Sequence, residues 1–229
     1  MSVCAAVFQG DGEEALAATL AALDRQTRPP EERVVVRQPS ATAAVRAALK
    51  RPADWLWLLD GSAVPEPDAL ERLLEALDRL GPLPPPVLLA SKVVGPGGAP
   101  DPGTLPLPRV VDIEEGAAAF ERRLLPVRTV RHGSLLVQRS GLEAHLPADD
   151  ALAWSARLLK ERLGVLVPAS VAVRRAPTPA RPDLAGRLRL LASDALKAGE
   201  KPRFAVRLAE DALAARRAGR GERRGRSPG

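Results

Sequence analysis

The sequence contains no tyrosine, one cysteine and two histidines, and aromatic residues make up only 3% of its 229 residues. A single cysteine excludes a disulfide framework within the chain and any zinc site built on cysteine pairs. His132 and His145 stand too far apart in the sequence for the spacings typical of metal ligands. Because apolar residues still make up 45% of the chain, the core must be built from Leu, Val and Ala, with Cys4 as a buried thiol.

Long apolar runs are also missing. No run approaches the roughly 20 residues that span a bilayer, and no basic segment precedes the short apolar stretch at the N-terminus. The sequence therefore predicts a soluble cytoplasmic protein. Peripheral contact at the inner face of the membrane is the alternative, through the basic C-terminal segments.

Positive charge is concentrated at one end of the chain. Residues 201–229 hold nine Lys and Arg against three acidic residues, which accounts for the whole net charge of +6. Basic amphipathic helices suit an anionic membrane surface, but packed helices followed by a solvated tail are the simpler interpretation. No aromatic residues are interleaved with the basic ones, so we expect no nucleic-acid partner.

Short apolar runs alternate with leucine-periodic segments along the chain. The runs predict buried strands at 2–8, 33–36, 55–59, 87–94, 134–138, 164–168 and 170–175. Helices are predicted around Leu16–Leu23, at 41–50, around Leu70–Leu80, at 113–125 and at 149–163. The Gly- and Pro-rich stretch 95–108 is predicted to be a loop. This alternation predicts an α/β fold with a mostly parallel sheet flanked by helices.

Composition divides the chain into three parts. Residues 1–176 form the predicted α/β domain. Residues 177–218 form a predicted helical extension, with helices at 183–198 and 203–218 behind a proline-rich linker. Residues 219–229 form a basic tail that is predicted to be disordered. Ligands of α/β sheets bind at the carboxyl ends of the strands, which makes 9–11, 37–40 and 60–62 the stretches of interest.

Four segments, taken in order, resemble the family-2 glycosyltransferases. EEALAATLAALDRQTRPPEERVVV (13–36) is similar to the family's first helix, its Leu-x-x-Gln-Thr-x-Pro-Pro turn and its second strand. WLWLLDGSAVPEPDALERLLEAL (55–77) resembles the third strand, the Asp-x-Asp signature and the helix that follows. GSLLVQRSGL (133–142) and ADDALAWSARLLKERLGVLVPASVAV (148–173) resemble the later strand, the catalytic-acid helix and the closing Val-Pro-x-Ser strand.

The resemblance implies a GT-A fold, a Rossmann-like sheet that binds a nucleotide sugar, and transfer of the sugar with inversion. An aspartate would take the proton of the acceptor hydroxyl as its oxygen attacks the anomeric carbon. A divalent Mg²⁺ or Mn²⁺ would neutralise the leaving diphosphate. The implied acceptor is a cell-surface glycan or a lipid-linked glycan of a bacterial envelope.

The ligand positions depart from the family pattern more than the scaffold positions do. Gln9-Gly10-Asp11 stands where the family has Thr-Tyr-Asn, and Arg37 stands where it has a nucleoside-contacting aspartate. Asp60 is retained, but Ser62 replaces the metal-holding acid, so Asp60 alone would be a weak metal ligand. Arg174 stands where the family often has a histidine near the metal. Arg37 and Arg174 would supply fixed positive charge to a diphosphate without a metal, because arginine binds phosphate bidentately.

The resemblance makes Asp150 or Asp149 the candidate general base, and the sequence leaves open which of the two it is. The simpler interpretation of Asp150 is a carboxylate favoured by the dipole at a helix N-terminus. The simpler interpretation of Asp60 is a turn residue at a strand end. The predicted donor-binding residues are the polar ones at the strand ends: Gln9, Asp11, Arg37, Ser40, Asp60 and Ser62.

Two functions are consistent with this pattern. One is an inverting glycosyltransferase that works without a tightly held metal. The other is a catalytically inactive protein of the same fold, which serves as a binding or scaffold partner in glycan assembly. Polar geometry retained around Asp60 and Asp150 would favour the enzyme, and a filled or apolar cleft would favour the inactive protein.

Overall fold

A computed structural model describes residues 1–81, 83–101, 103–109, 111, 113–147, 150–175, 184–193, 195–202, 204–206 and 208–209. The strands are β1 (Val3–Phe8), β2 (Glu32–Val36), β3 (Trp55–Asp60), β4 (Ala63–Pro65), β5 (Pro86–Val94), β6 (Leu107–Pro108), β7 (Leu125–Thr129), β8 (Ser134–Gln138) and β9 (Leu163–Arg174). The helices are α1 (Glu13–Asp24), α2 (Ala41–Ala48), α3 (Ala69–Asp78), α4 (Ile113–Glu121), α5 (Arg139–Ala144), α6 (Ala151–Leu158) and α7 (Leu184–Ala192). None of the helices in these ranges is long and apolar enough to cross a membrane.

The strands form one mixed sheet in the order β2-β1-β3-β8-β5-β9-β7-β6, and β4 pairs with β9. Strand β1 lies parallel to both β2 and β3, and β5 lies parallel to β9. Strand β8 runs antiparallel between β3 and β5. The long strands β1, β2, β3, β5 and β9 therefore all point the same way, which confirms the predicted α/β class and brings their carboxyl ends to one edge.

The central strand β3 explains how the helices cover both faces of the sheet. Successive side chains of a strand point to opposite faces, so the apolar run 55–59 supplies two cores at once. One face carries Trp55, Trp57 and Leu59, which pack with the leucines of α1 and α3. The other carries Leu56 and Leu58, which pack with α2 and α6.

Several predicted elements differ from the observed ones. The two strands predicted at 164–168 and 170–175 are one strand, β9, whose pairing with β5 is irregular between Val167 and Val171. The helix predicted at 149–163 spans only Ala151–Leu158, because the chain must turn back to enter β9. The sequence predicts none of β4, β6, β7 and α5, which are short and lack a clear periodicity, and β6 falls within the predicted loop at 95–108. Most of the helix predicted at 203–218 lies outside the described residues, as do the proline-rich linker and the 219–229 tail.

The Gln-Thr pair of the motif around residue 26 has a structural role. Gln26 is buried, and its Nε2 donates to the Glu66 carbonyl at 2.7 Å. Its Oε1 accepts from the Leu70 amide at 3.1 Å, which satisfies one of the free amides in the first turn of α3. The Thr27 amide donates to the Pro67 carbonyl at 2.8 Å. The motif therefore joins the end of α1 to the start of α3, directly after the 60–65 segment.

A network of hydrogen bonds between buried hydroxyls crosses the sheet. The Trp57 Nε1 donates to Ser134 Oγ (3.0 Å), Ser134 Oγ lies 2.7 Å from Ser91 Oγ, and Ser91 Oγ lies 2.8 Å from Ser170 Oγ. Ser170 donates its only hydroxyl proton to the Ala69 carbonyl at 2.8 Å. Ser91 must therefore donate to Ser170, and Ser134 to Ser91, because each hydroxyl has one proton. This network ties β3, β8, β5, β9 and α3 together at the irregular part of β9.

The Cys4 thiol lies in β1 and is fully buried. Desolvation by burial, together with the nearby Glu32 carboxylate, raises the pKa of the Cys4 thiol. Burial therefore keeps the thiol neutral and unreactive, because the thiolate is the reactive form. This agrees with the structural role predicted for Cys4.

The segment around α7 packs on α6 through a small core formed by Leu152, Ala156, Leu190, Ala195 and Leu196. Arg128 of β7 contacts the residues that follow α7. Its guanidinium donates to the carbonyls of Ala156 (2.6 Å) and Ala195 (2.5 Å), and it pairs with Glu200 at 2.8 Å. The Arg128 side chain is only 6% exposed. Its hydrogen bonds and its ion pair are therefore stronger than they would be in water.

Arg128→Ala is expected to lower the free energy of unfolding by about 2–4 kcal/mol, because it leaves two buried carbonyls and Glu200 without their donor. Urea denaturation followed by circular dichroism measures the change. Arg72→Ala is the matched control, since Arg72 forms exposed pairs with Asp68 and Glu75 and is expected to change stability by less than about 1 kcal/mol. Equal losses in the two variants would contradict a special role for Arg128.

Candidate functional site

The carboxyl ends of β1, β2 and β3 meet at one edge of the sheet. Phe8 pairs with Val36 on one side and with Asp60 on the other. The Gln9 amide donates to the carbonyls of Val36 (3.0 Å) and Gln38 (3.2 Å). The stretches 9–11, 37–40 and 60–62 therefore lie along the same edge, as the strand-end rule predicts. Strand β9 ends there too, because Arg174 pairs with Ala63 of β4.

The turn after β3 is held from three sides. The Asp60 amide donates to the Gly133 carbonyl at 2.9 Å, and the Gly61 amide donates to the Phe8 carbonyl at 2.8 Å. Gly10 must be glycine here, since a Cβ at this position would lie 2.2 Å from Asp60 Oδ1 and 2.8 Å from the Ser62 amide nitrogen. Any side chain at residue 10 would therefore displace the Asp60 carboxylate.

Both oxygens of the Asp60 carboxylate have donors inside the protein. Oδ1 accepts from the Ser62 amide (3.0 Å) and from the Ser62 hydroxyl (2.7 Å). Oδ2 accepts from Arg174 Nη2 at 2.9 Å. Asp60 is only 13% exposed. Ser62 therefore acts as a neutral donor to Asp60, where the resemblance leads one to expect a second metal-holding acid.

Arg174 connects three carboxylates. Its Nη2 bonds Asp60, its Nε lies 3.4 Å from Asp101 Oδ2, and its Nη1 lies 3.7 Å from Asp11 Oδ2. The Arg174 side chain is 11% exposed, whereas Asp101 is fully buried and Asp11 is 54% exposed. The guanidinium is thus held by acids from the β1–α1 loop, from the end of β3 and from the loop after β5.

These residues do not fit a tightly held Mg²⁺ or Mn²⁺. Such ions need several oxygen ligands, but the oxygens of Asp60 already accept from Ser62 and Arg174. A metal ion held by Asp60 would also have to compete with the Arg174 guanidinium for the carboxylate. Within the described ranges, no three His, Cys, Asp or Glu side chains are grouped closely enough to hold a metal.

Asp101 is a site residue that the sequence does not indicate, because the stretch 95–108 predicts only a loop. The chain after β5 folds back on itself, with a bridge between Val94 and Pro100 and a hydrogen bond from the Gly95 amide to the Ala99 carbonyl (2.8 Å). The Asp101 amide then donates to the Val93 carbonyl at 3.0 Å, which returns the residue to the strand ends. The one signal in the sequence is that Asp101 is the only acid of this stretch.

Two predicted donor-binding residues have structural partners. Arg37 is 67% exposed and forms an ion pair with Glu13 at 2.5 Å. The Ser40 hydroxyl caps α2 by accepting from the Ala43 amide at 3.2 Å. Of the two arginines expected near the diphosphate, the structure brings Arg174 to Asp60, while Arg37 turns to Glu13.

Asp150 caps α6, since its Oδ1 accepts from the Ala153 amide at 3.0 Å. Asp149 lies outside the described residues. One turn beyond Asp150, the Trp154 ring lies 5.6 Å from the His132 ring, which in turn lies 5.6 Å from Phe8. These ring contacts connect Trp154 of α6 through His132 to Phe8, at the end of β1.

The fold of the chain is matched by solved structures. S. aureus TarS 1-349 is 10% identical with a TM-score of 0.58, over 93% of this chain and 72% of that one. The same TarS segment in complex with UDP-GlcNAc is 11% identical with a TM-score of 0.57, over 93% and 73%. GalNAc-T7 with UDP, GalNAc and Mn²⁺ is 8% identical with a TM-score of 0.56, over 91% and 54%.

The chain has the GT-A glycosyltransferase fold. No protein-family model and no curated protein sequence matches it. Identities of 8–11% establish the fold alone, because one fold can carry many functions. The chain spans about half of the GalNAc-T7 chain and 43% of a longer TarS chain.

Proposed function

We propose that the protein is an inverting glycosyltransferase that takes a sugar from a nucleotide-sugar donor without a tightly held metal. The observation that carries the proposal is the Asp60–Ser62 turn, which places a polar carboxylate and the Arg174 guanidinium together at the strand ends of a GT-A fold. The donor lies along 9–11, 37–40 and 60–62, with Gln9, Ser40, Asp60 and Ser62 closest to it. The acceptor approaches from the α6 side.

The reaction needs one base and one positive charge. Asp150, or Asp149 beside it, takes the proton of the acceptor hydroxyl as that oxygen bonds the anomeric carbon. The bond from that carbon to the donor phosphate breaks at the same time, and the nucleoside diphosphate leaves with the electron pair. Arg174 stabilises the charge that develops on the leaving group, since its guanidinium carries a fixed positive charge at the strand ends.

The names of the structural neighbours suggest which donors to test first. TarS was crystallised with UDP-GlcNAc, and GalNAc-T7 with UDP, GalNAc and Mn²⁺. For this chain we propose a uridine diphosphate sugar as donor and a cell-surface or lipid-linked glycan as acceptor. We further propose a catalytic part at 1–176, a helical extension at 177–218 that contacts the membrane surface peripherally, and a basic tail at 219–229.

Thermal shift and calorimetry against a panel of nucleotide sugars, with and without Mn²⁺, test the proposal. A ligand that binds only the native state raises the melting temperature by mass action, so we expect one donor to do so equally with and without metal. UDP-GlcNAc and UDP-GalNAc head the panel, and GDP and dTDP sugars complete it. Failure of every donor to bind would exclude the proposed activity.

A second function is favoured by one observation, the internal pairing of the arginines at this edge. Arg37 pairs with Glu13, Arg175 with Glu14, and Arg174 with three acids, which leaves these arginines little surplus charge for a diphosphate. An inactive GT-A protein that serves as a binding partner in glycan assembly would have this property. The same panel separates the two, since the inactive protein binds no donor and hydrolyses none.

A further inference from the structure

We propose that Arg174 is the counter-ion of the donor diphosphate. The buried Asp101 orients its guanidinium, and Asp11 pairs with it until the donor binds. This proposal rests on the proposed function and assigns opposite roles to two carboxylates that contact the same guanidinium. Asp101 is a positioning residue. Asp11 is a placeholder, whose carboxylate stands where a phosphate oxygen binds.

The inner side of Arg174 is fixed by burial. Asp101 is fully buried, with its Oδ2 3.4 Å from Nε, which is an ion pair without a hydrogen bond, and Asp60, at 13% exposure, accepts from Nη2 at 2.9 Å. Both contacts join buried opposite charges, so breaking either one is strongly unfavourable. The main chain of Asp101 is held by two hydrogen bonds. Its amide donates to the Val93 carbonyl at 3.0 Å, and its carbonyl accepts from the Thr104 amide at 3.0 Å. Asp101 and Asp60 therefore hold the guanidinium from two sides, Asp60 by a hydrogen bond and Asp101 by a buried ion pair.

The outer side of Arg174 is held only loosely. Asp11 is 54% exposed, and its distance of 3.7 Å to Nη1 is the longest of the three. Exposed ion pairs contribute little to stability, so Asp11 can leave at small cost. Its neighbour Gly12 has a φ of 119° and no atoms that would contact a Cβ within 4 Å, so the loop has room to move. A phosphate oxygen that replaces Asp11 meets a guanidinium already oriented by the other two acids.

A purely electrostatic account makes a different prediction. Each aspartate reduces the positive charge that Arg174 offers to an anion, so neutralising either one would tighten anion binding. If Asp101 instead orients Arg174, neutralising it loosens the guanidinium, and misplacing a contact group is costly. The two aspartates must then change affinity in opposite directions.

The test compares Asp11→Asn and Asp101→Asn in the full chain, with inorganic pyrophosphate and UDP as probes in calorimetry. We expect Asp11→Asn to bind both probes about fivefold more tightly and Asp101→Asn to bind them about tenfold more weakly. Glu14→Gln is the matched control, because Glu14 is 93% exposed, pairs with Arg175 at 3.3 Å and is expected to change neither affinity.

Uridine, followed by ligand-observed NMR, separates positioning from general loosening of the fold. If Asp101 acts only through Arg174, Asp101→Asn leaves uridine affinity unchanged. General loosening of the fold would weaken the binding of uridine and UDP alike and overturn the proposal.

Changes of affinity in the same direction for both aspartate variants would also overturn the proposal, while donor binding by the wild type would keep the proposed function intact. Pyrophosphate binding with the expected opposite changes, but without binding of any nucleotide sugar, would support this inference and refute the proposed function. Absence of all binding to the wild type would refute both.

Discussion

Arg174→Gln is expected to lower the free energy of unfolding by about 3–5 kcal/mol, because it removes the buried ion pair with Asp101 and a hydrogen-bond donor to Asp60. Glutamine keeps polar atoms in a similar volume, so most of the effect comes from the lost charge. Urea denaturation at neutral pH, with the slope checked for unchanged two-state behaviour, measures it. The same variant should lose donor binding in the thermal-shift panel.

Two further variants show whether the lost ion pair causes this destabilisation. Arg175→Gln changes the neighbouring arginine, which is 58% exposed, and should cost less than about 1 kcal/mol. Adding Asp101→Asn to Arg174→Gln removes the buried carboxylate that had paired with Arg174, so the double variant should be more stable than the sum of the single changes predicts. Strict additivity, or equal costs at the two arginines, would show that Arg174 does not stabilise the strand ends through Asp101.

Asp150→Asn is expected to lower turnover by about 10²–10⁴-fold while leaving stability within about 0.5 kcal/mol. The structure makes these effects separable, because asparagine caps a helix as well as aspartate but cannot accept the acceptor's proton at neutral pH. Initial rates with the donor identified by the panel, together with the melting temperature, measure both quantities.

Asp149→Asn is the companion variant, since the sequence alone leaves either residue as the base. A large loss of turnover in Asp149→Asn with normal activity in Asp150→Asn would assign the base to Asp149 and leave Asp150 as a cap. Full activity in both variants would exclude both aspartates as the base.

The scaffold was largely predictable from the sequence because its signals are local. The run 55–59 is a strand because five apolar residues in a row must be buried on both faces of a sheet. The Gln-Thr motif ends α1 because Gln26 bonds the first turn of α3. The short strand β4 left no such signal. It exists because β9 lies beside it, which is a tertiary cause.

The candidate site was predictable only in part. The strand-end rule placed Gln9, Asp60 and Ser62 on one edge, since it depends on strand direction alone. It gave no means of choosing between Arg37 and Arg174, because which arginine turns inward depends on where acids from distant segments lie. Asp101 was unpredictable for the same reason, since its burial results from a fold-back within a stretch whose composition indicates only a loop.

The single buried thiol of β1, Cys4, can report local opening of the sheet. The Cys4 side chain lies on the face of the sheet that α2 covers, packed with Ala44, Val45 and Ala48, so a thiol reagent reaches it only when that core layer opens. With no second cysteine to compete, the rate of modification under native conditions measures how often that part of the sheet opens. Ligands that close the strand ends should slow the labelling, without any probe having to be introduced into the protein.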